Sequence, residues 1–130
     1  MDRGKGAYIG TEIDEKWWKR YRKDKFFARG NGEYWLDENG FCFRRYLTKR
    51  PICVPFERTE RIKLGKWHAG RWCGGLLVVK ILWEKAGQSL SSGFVVSKNE
   101  IDTHNLKAEL ERRIGSQGDR QSDAERPKGS

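Results

Sequence analysis

The segment Leu76-Leu77-Val78-Val79-Lys80-Ile81-Leu82-Trp83 sets the scale of what this chain can fold into. It is the most apolar stretch, it is rich in β-branched residues, and it predicts a central β-strand. No apolar run approaches the roughly 20 residues that a membrane-spanning helix needs. Only 36% of the 130 residues are hydrophobic, yet six Trp, six Phe and four Tyr are among them. Aromatic side chains bury a large area each, so a few can fill the core of one domain of this size without a covalent staple.

Other strand signals surround that segment. Tyr34-Trp35-Leu36-Asp37-Glu38 and Phe41-Cys42-Phe43-Arg44-Arg45-Tyr46 flank Asn39-Gly40. A two-residue Asn-Gly loop suits a type I′ turn, in which both central residues need φ > 0. Counting outward pairs Leu36 with Phe43 and Trp35 with Arg44. It places Tyr34, Leu36, Phe41, Phe43 and Leu47 on a core face and Trp35, Cys42, Arg44 and Tyr46 on the other. Phe26-Phe27-Ala28 before Gly30 and Gly32 predicts a bent or bulged strand. Pro51 and Pro55 bracket Ile52-Cys53-Val54, which reads as an edge strand because proline cannot donate to a ladder. Arg61-Ile62-Lys63-Leu64 alternates as a half-exposed strand. Lys85-Ala86-Gly87-Gln88 is a turn, and Leu90, Phe94, Val95 and Val96 mark the last strand.

Helices are expected at both ends. Thr11-Glu-Ile-Asp14 has the form of a helix start, and Ile13, Trp17 and Tyr21 recur every four residues, predicting a short helix over 12–23. Ser97 and Glu100 have capping-box spacing, Leu106, Leu110 and Ile114 form an apolar stripe, and Gly115 stands where a helix would stop. Residues 1–10 read as a flexible lead-in, 11–115 as a single domain, and 116–130 as a disordered tail without large apolar residues. The start of the chain enters no apolar region, so no secretory signal is expected. Cys42, Cys53 and Cys73 are odd in number and widely spaced, which predicts reduced thiols in a cytoplasmic protein, peripheral to the membrane if the partner is a lipid.

About seven short antiparallel strands followed by one amphipathic helix resembles pleckstrin-homology-like (PH-like) and GRAM-like domains from Phe26 to Ile114. The resemblance implies a mostly β (α+β) barrel of two bent sheets capped by the terminal helix, here with an added short N-terminal helix. An SH3-like or OB-like barrel is the alternative.

Chemistry is sparse in the sequence. There are two histidines, His68 and His104, and no GxSxG, HExxH or P-loop pattern, so no catalytic residue, metal site or cofactor is expected. The net charge of +9 favours polyanionic partners. The tail's charges cancel, so the excess lies in residues 1–115. The distinctive segment is Gly65 to Gly75, where Lys66, Trp67, His68, Arg71 and Trp72 sit among glycines. Such Trp residues can stack on a base or sit at a membrane interface, and the cations can hold a phosphate. The competing expectation is that Trp67 and Trp72 cork the barrel. Arg44, in the run Arg44 to Arg50, is a further candidate. The expected function is a non-enzymatic binding module for a protein segment or an anionic headgroup. Nucleic-acid binding through basic strands and exposed aromatics is one alternative, and membership of a larger assembly is another. The 52–56 edge strand could pair with a second copy or another chain.

Overall fold

Glycines 4, 6 and 10 make the start of the chain look unable to pack, yet it forms the central strand of the molecule. The computed structural model describes residues 3–23, 26 and 29–125, with side chains to 116. Strand β1 is Gly4–Ile13. Its glycines serve close approach: a Cβ on Gly6 would stand 2.7 Å from the Val95 carbonyl oxygen. The expected flexible lead-in is therefore corrected from Gly4 onward.

The expected N-terminal helix is also corrected. Ile13 pairs with Lys16 across a two-residue turn, and β2 is Lys16–Arg20. Asp14 and Glu15 have φ of 54° and 55°, so the two-positive-φ hairpin turn expected at Asn39-Gly40 occurs here instead. The four-residue spacing of Ile13, Trp17 and Tyr21 is incidental: Ile13 is half-buried, Trp17 is exposed and Tyr21 is in the core.

Strands β3 (Gly30–Leu36), β4 (Gly40–Arg45) and β5 (Ile52–Pro55) follow, then a 3₁₀ turn at Phe56–Arg58 and β6 (Thr59–Gly65). Leu36 pairs with Phe41 and Tyr34 with Phe43, two residues out of the expected register. A shift of two preserves which side chains share a face. Leu36, Phe41 and Phe43 are buried as expected, but Leu47 lies beyond the strand with φ 68° and is fully exposed. The turn is a four-residue loop in which the Asp37 Oδ1 accepts from the amides of Asn39 and Gly40 at 2.8 and 2.9 Å. Phe27 and Ala28, part of the expected bulged strand, lie outside the described residues.

Cys42 and Cys53 are directly opposed on β4 and β5, with Cα atoms 4.1 Å apart, and are joined by a disulfide. This corrects the expectation of reduced thiols for that pair. Spacing along the chain could not show that the register sets them face to face.

Two short strands, β7 (Trp67–His68) and β8 (Arg71–Trp72), form a separate ribbon before β9 (Val78–Lys85) and β10 (Gln88–Val95). The main antiparallel sheet has eight strands, in the order β5-β4-β3-β1-β10-β9-β6, with β2 paired to β1. Its ends, β5 and β6, do not pair, so the barrel is not closed. The edge position of β5 and the interior position of β9 agree with the sequence. Helix α1 (Glu100–Glu125) packs on β6 and the 3₁₀ turn that follows β5, burying Leu106 and Leu110. Arg113 Nη1 donates to the Asp37 carbonyl at 3.2 Å, tying α1 to the β3–β4 loop. The cap differs from the expected one: Asn99 Oδ1 accepts from the Ile101 amide at 2.8 Å. The helix also runs past Gly115 to Glu125, into the segment expected to be a disordered tail.

The core is aromatic. Phe94 lies against Phe41 and Tyr8 at ring separations of 4.7 and 5.3 Å, and Phe26 against Trp83 at 5.5 Å. A chain of buried hydrogen bonds crosses it. Trp83 Nε1 donates to Ser92 Oγ at 3.0 Å, Ser92 meets Thr11 at 2.7 Å, Thr11 meets the Tyr8 hydroxyl at 2.6 Å, and that hydroxyl donates to the Phe26 carbonyl at 3.0 Å. Each member is satisfied, which keeps buried polar groups from costing stability. Burial pushes the Tyr8 pKa up to about 12 against the Thr11 hydrogen bond.

Candidate ligand-binding face

The β7–β8 ribbon is the glycine-rich segment singled out in the sequence. Trp67 pairs with Trp72 and His68 with Arg71. Ala69 and Gly70 make the turn, with φ of 51° and 77°. The ribbon is seated where Gly10 of β1 pairs with Gly93 of β10. Neither residue has a Cβ, so the sheet has a notch at that point. A Cβ on Gly93 would lie 2.3 Å from His68 Cδ2, and one on Gly10 would lie 3.2 Å from Ala69 Cβ.

Polar contacts latch the ribbon into the notch. His68 Nε2 donates to the Gly10 carbonyl at 2.9 Å, which fixes the neutral ring as the Nε2–H tautomer. The Ala69 amide donates to Glu12 Oε2 at 2.8 Å, and Arg29 Nη2 donates to the Ala69 carbonyl at 2.9 Å. Glu12 Oε1 stands 3.7 Å from His68 Nδ1. Burial lowers the His68 pKa, opposed by the Glu12 carboxylate and the Gly10 hydrogen bond. His68, a predicted site residue, is thus almost fully buried and holds the ribbon rather than facing solvent.

The tryptophans beside it face outward. Trp67 is 60% exposed and Trp72 47%, so neither corks the barrel. Trp17 and Trp18 on β2 are 62% and 60% exposed, and the Trp17 ring lies over Gly70, 3.1 Å from where its Cβ would stand. The two hairpins therefore touch and present four indoles together. Trp67 and Trp72 are 5.4 Å apart, and Trp17 and Trp18 are 5.6 Å apart. Exposed Lys16, Lys19, Lys66 and Arg71 lie on the same two segments, and neither Lys16–Arg20 nor the 65–73 segment contains an acid. Between the hairpins lies a cavity of about 560 Å³ walled by Trp17, Leu64 and Trp67, with Glu12, Glu15, Lys63, His68 and Lys80 also lining it.

Of the predicted site residues, Lys66, Trp67, His68, Arg71 and Trp72 come together. Arg44 does not. It sits on β4, two strands from β1, where it bonds Glu33 Oε1 and the Thr48 carbonyl, each at 2.8 Å. Trp17 and Trp18 stand outside the predicted site residues, because the expected helix over 12–23 would pack Trp17 and Tyr21 on the barrel. No cluster of three or more metal-ligating side chains occurs among the described residues.

This β sheet with its C-terminal helix, carrying an exposed aromatic and cationic face, has the build of a binding domain. A model of the bacterial PH domain-like family matches residues 1–110, and the chain belongs to that family. PH-like domains are in general binding or interaction modules rather than catalysts. Comparison with curated proteins gives no match.

Proposed function

We propose that this chain is a non-enzymatic module that docks its two tryptophan hairpins onto an anionic membrane surface. The observation that carries this reading is the cluster of Trp17, Trp18, Trp67 and Trp72, each about half or more in solvent. Water-exposed indoles grouped this way cost free energy unless a partner covers them. Trp partitions to membrane interfaces, where its ring is buried and its N–H stays near the headgroups. Each nearby Lys or Arg adds roughly 1 kcal/mol on an anionic surface. No helix among the described residues is long and apolar enough to cross a membrane, and surface docking requires none.

The test is tryptophan fluorescence and iodide quenching with phosphatidylcholine vesicles, with and without phosphatidylglycerol. A blue shift and protection with the anionic vesicles are expected. Trp18→Ala with Trp67→Ala should weaken binding by about tenfold or more with little change in melting temperature, since both rings lie outside the core and are 60% exposed before docking. An unchanged spectrum with both vesicles would overturn the reading. Protection by a single-stranded oligonucleotide instead would move the site to nucleic acid.

A further inference from the structure

Three arginines with no acidic partner within salt-bridge distance among the described residues converge at the foot of the tryptophan ribbon. Arg20 ends β2, Arg29 precedes β3, and Arg71 opens β8. The Gly10 notch that receives Ala69 also receives Arg20, whose Nε and Nη2 lie 3.2 Å from the position of a Gly10 Cβ. Arg29 reaches the Ala69 carbonyl at 2.9 Å. Arg71, two residues beyond Ala69, lines the same cavity of about 510 Å³ as Arg29.

These guanidiniums are poorly compensated. The Nε atoms of Arg20 and Arg29 are buried without a hydrogen-bond partner among the described residues. Among the described residues the cavity lining contains no Asp or Glu, and Trp72 and Asn31 stand beside the two arginines. Burial, then the charges of Arg20 and Arg71, lower the Arg29 pKa. Grouping like charges in a part-buried place is costly unless an opposite charge enters. Guanidinium forks match the geometry of oxyanions and bind them through paired, charge-assisted hydrogen bonds.

We propose that Arg29 and Arg71, backed by Arg20, form a phosphate-binding site beneath the ribbon, bordered by the Trp72 ring. The phosphate is that of a soluble compound or of a lipid headgroup. The site uses neither Trp18 nor Trp67, and the calorimetric arm of its test contains no membrane, so its failure and that of the docking reading are separable.

The probes are inorganic phosphate and pyrophosphate at millimolar concentration, titrated by calorimetry with the full chain and with chloride holding ionic strength constant. Saturable binding of pyrophosphate is expected. Arg71→Met should weaken it about tenfold or more, the loss expected for one charge-assisted pair. Arg71 is exposed and so can be replaced without opening the core. Arg29→Lys keeps the charge but not the fork, and should weaken binding with the ribbon still docked by Trp emission. Absence of saturation, or equal affinity in wild type and Arg71→Met, would overturn the proposal. A second arm separates the sources. If pyrophosphate displaces the wild-type chain from phosphatidylglycerol vesicles and Arg71→Met abolishes this competition, the headgroup is the ligand. If vesicle binding persists with pyrophosphate bound, the ligand is a soluble phosphate.

Discussion

At Gly93 one added carbon would stand 2.3 Å from the His68 ring. The neighbour is a buried, latched imidazole with little room to yield, so Gly93→Ala should lift the ribbon from the sheet. The expected loss is about 1–3 kcal/mol, the usual cost of overfilling a packed site. Urea denaturation would measure it, and altered Trp67 and Trp72 emission would locate it. Ser92→Ala acts elsewhere. It strands Trp83 Nε1 and breaks the chain to Thr11, so about 1–3 kcal/mol should be lost with the ribbon still seated. Such residues are hard to read from sequence. Gly10 and Gly93 look like ordinary flexible positions, and only the β1–β10 register makes them one notch.

At the scale of elements, the ribbon's attachment titrates. The folded pKa of His68 lies below its ordinary value of 6.5, so the unfolded chain takes up the proton first. The contribution to stability is therefore complete above about pH 6.5 and declines as pH falls toward the folded value. Glu12, the ionisable group beside it, is part of the same latch. Hydrogen exchange at the Ala69 amide should accelerate below that pH relative to amides of β9. His68→Gln, which keeps an N–H for Gly10 and does not titrate, should remove the step. The elements themselves were unevenly legible. The apolar stripe of α1, the β9 run and the faces of β3 and β4 follow from periodicity, which survives a two-residue register error. Strand β2 was masked by a helix-like spacing in Ile13, Trp17 and Tyr21. The turn at Asp14-Glu15 lacks the Asn or Gly that announces positive φ, whereas Asn39-Gly40 carries that signal without using it.

For the whole molecule, an open sheet must be held together at its free ends. Helix α1 spans from β6 to the turn after β5, and the Cys42–Cys53 disulfide fastens the β5 edge to β4. Reduction should cost roughly 2–3 kcal/mol for a loop of this length. Urea midpoints with and without dithiothreitol would show it, and a Cys42→Ser, Cys53→Ser variant should be insensitive to the reductant. Five of the six predicted site residues gather in one place because they lie within seven consecutive positions. Arg44 lies apart from them on β4, where it bonds Glu33. The notch has a further consequence. The ribbon meets the central sheet through His68 and Ala69, while Trp67 and Trp72 are about half or more in solvent. Its exposed residues are therefore not what anchors it, and the same scaffold can be re-tooled for a new ligand by rewriting them while the two anchoring positions stay fixed.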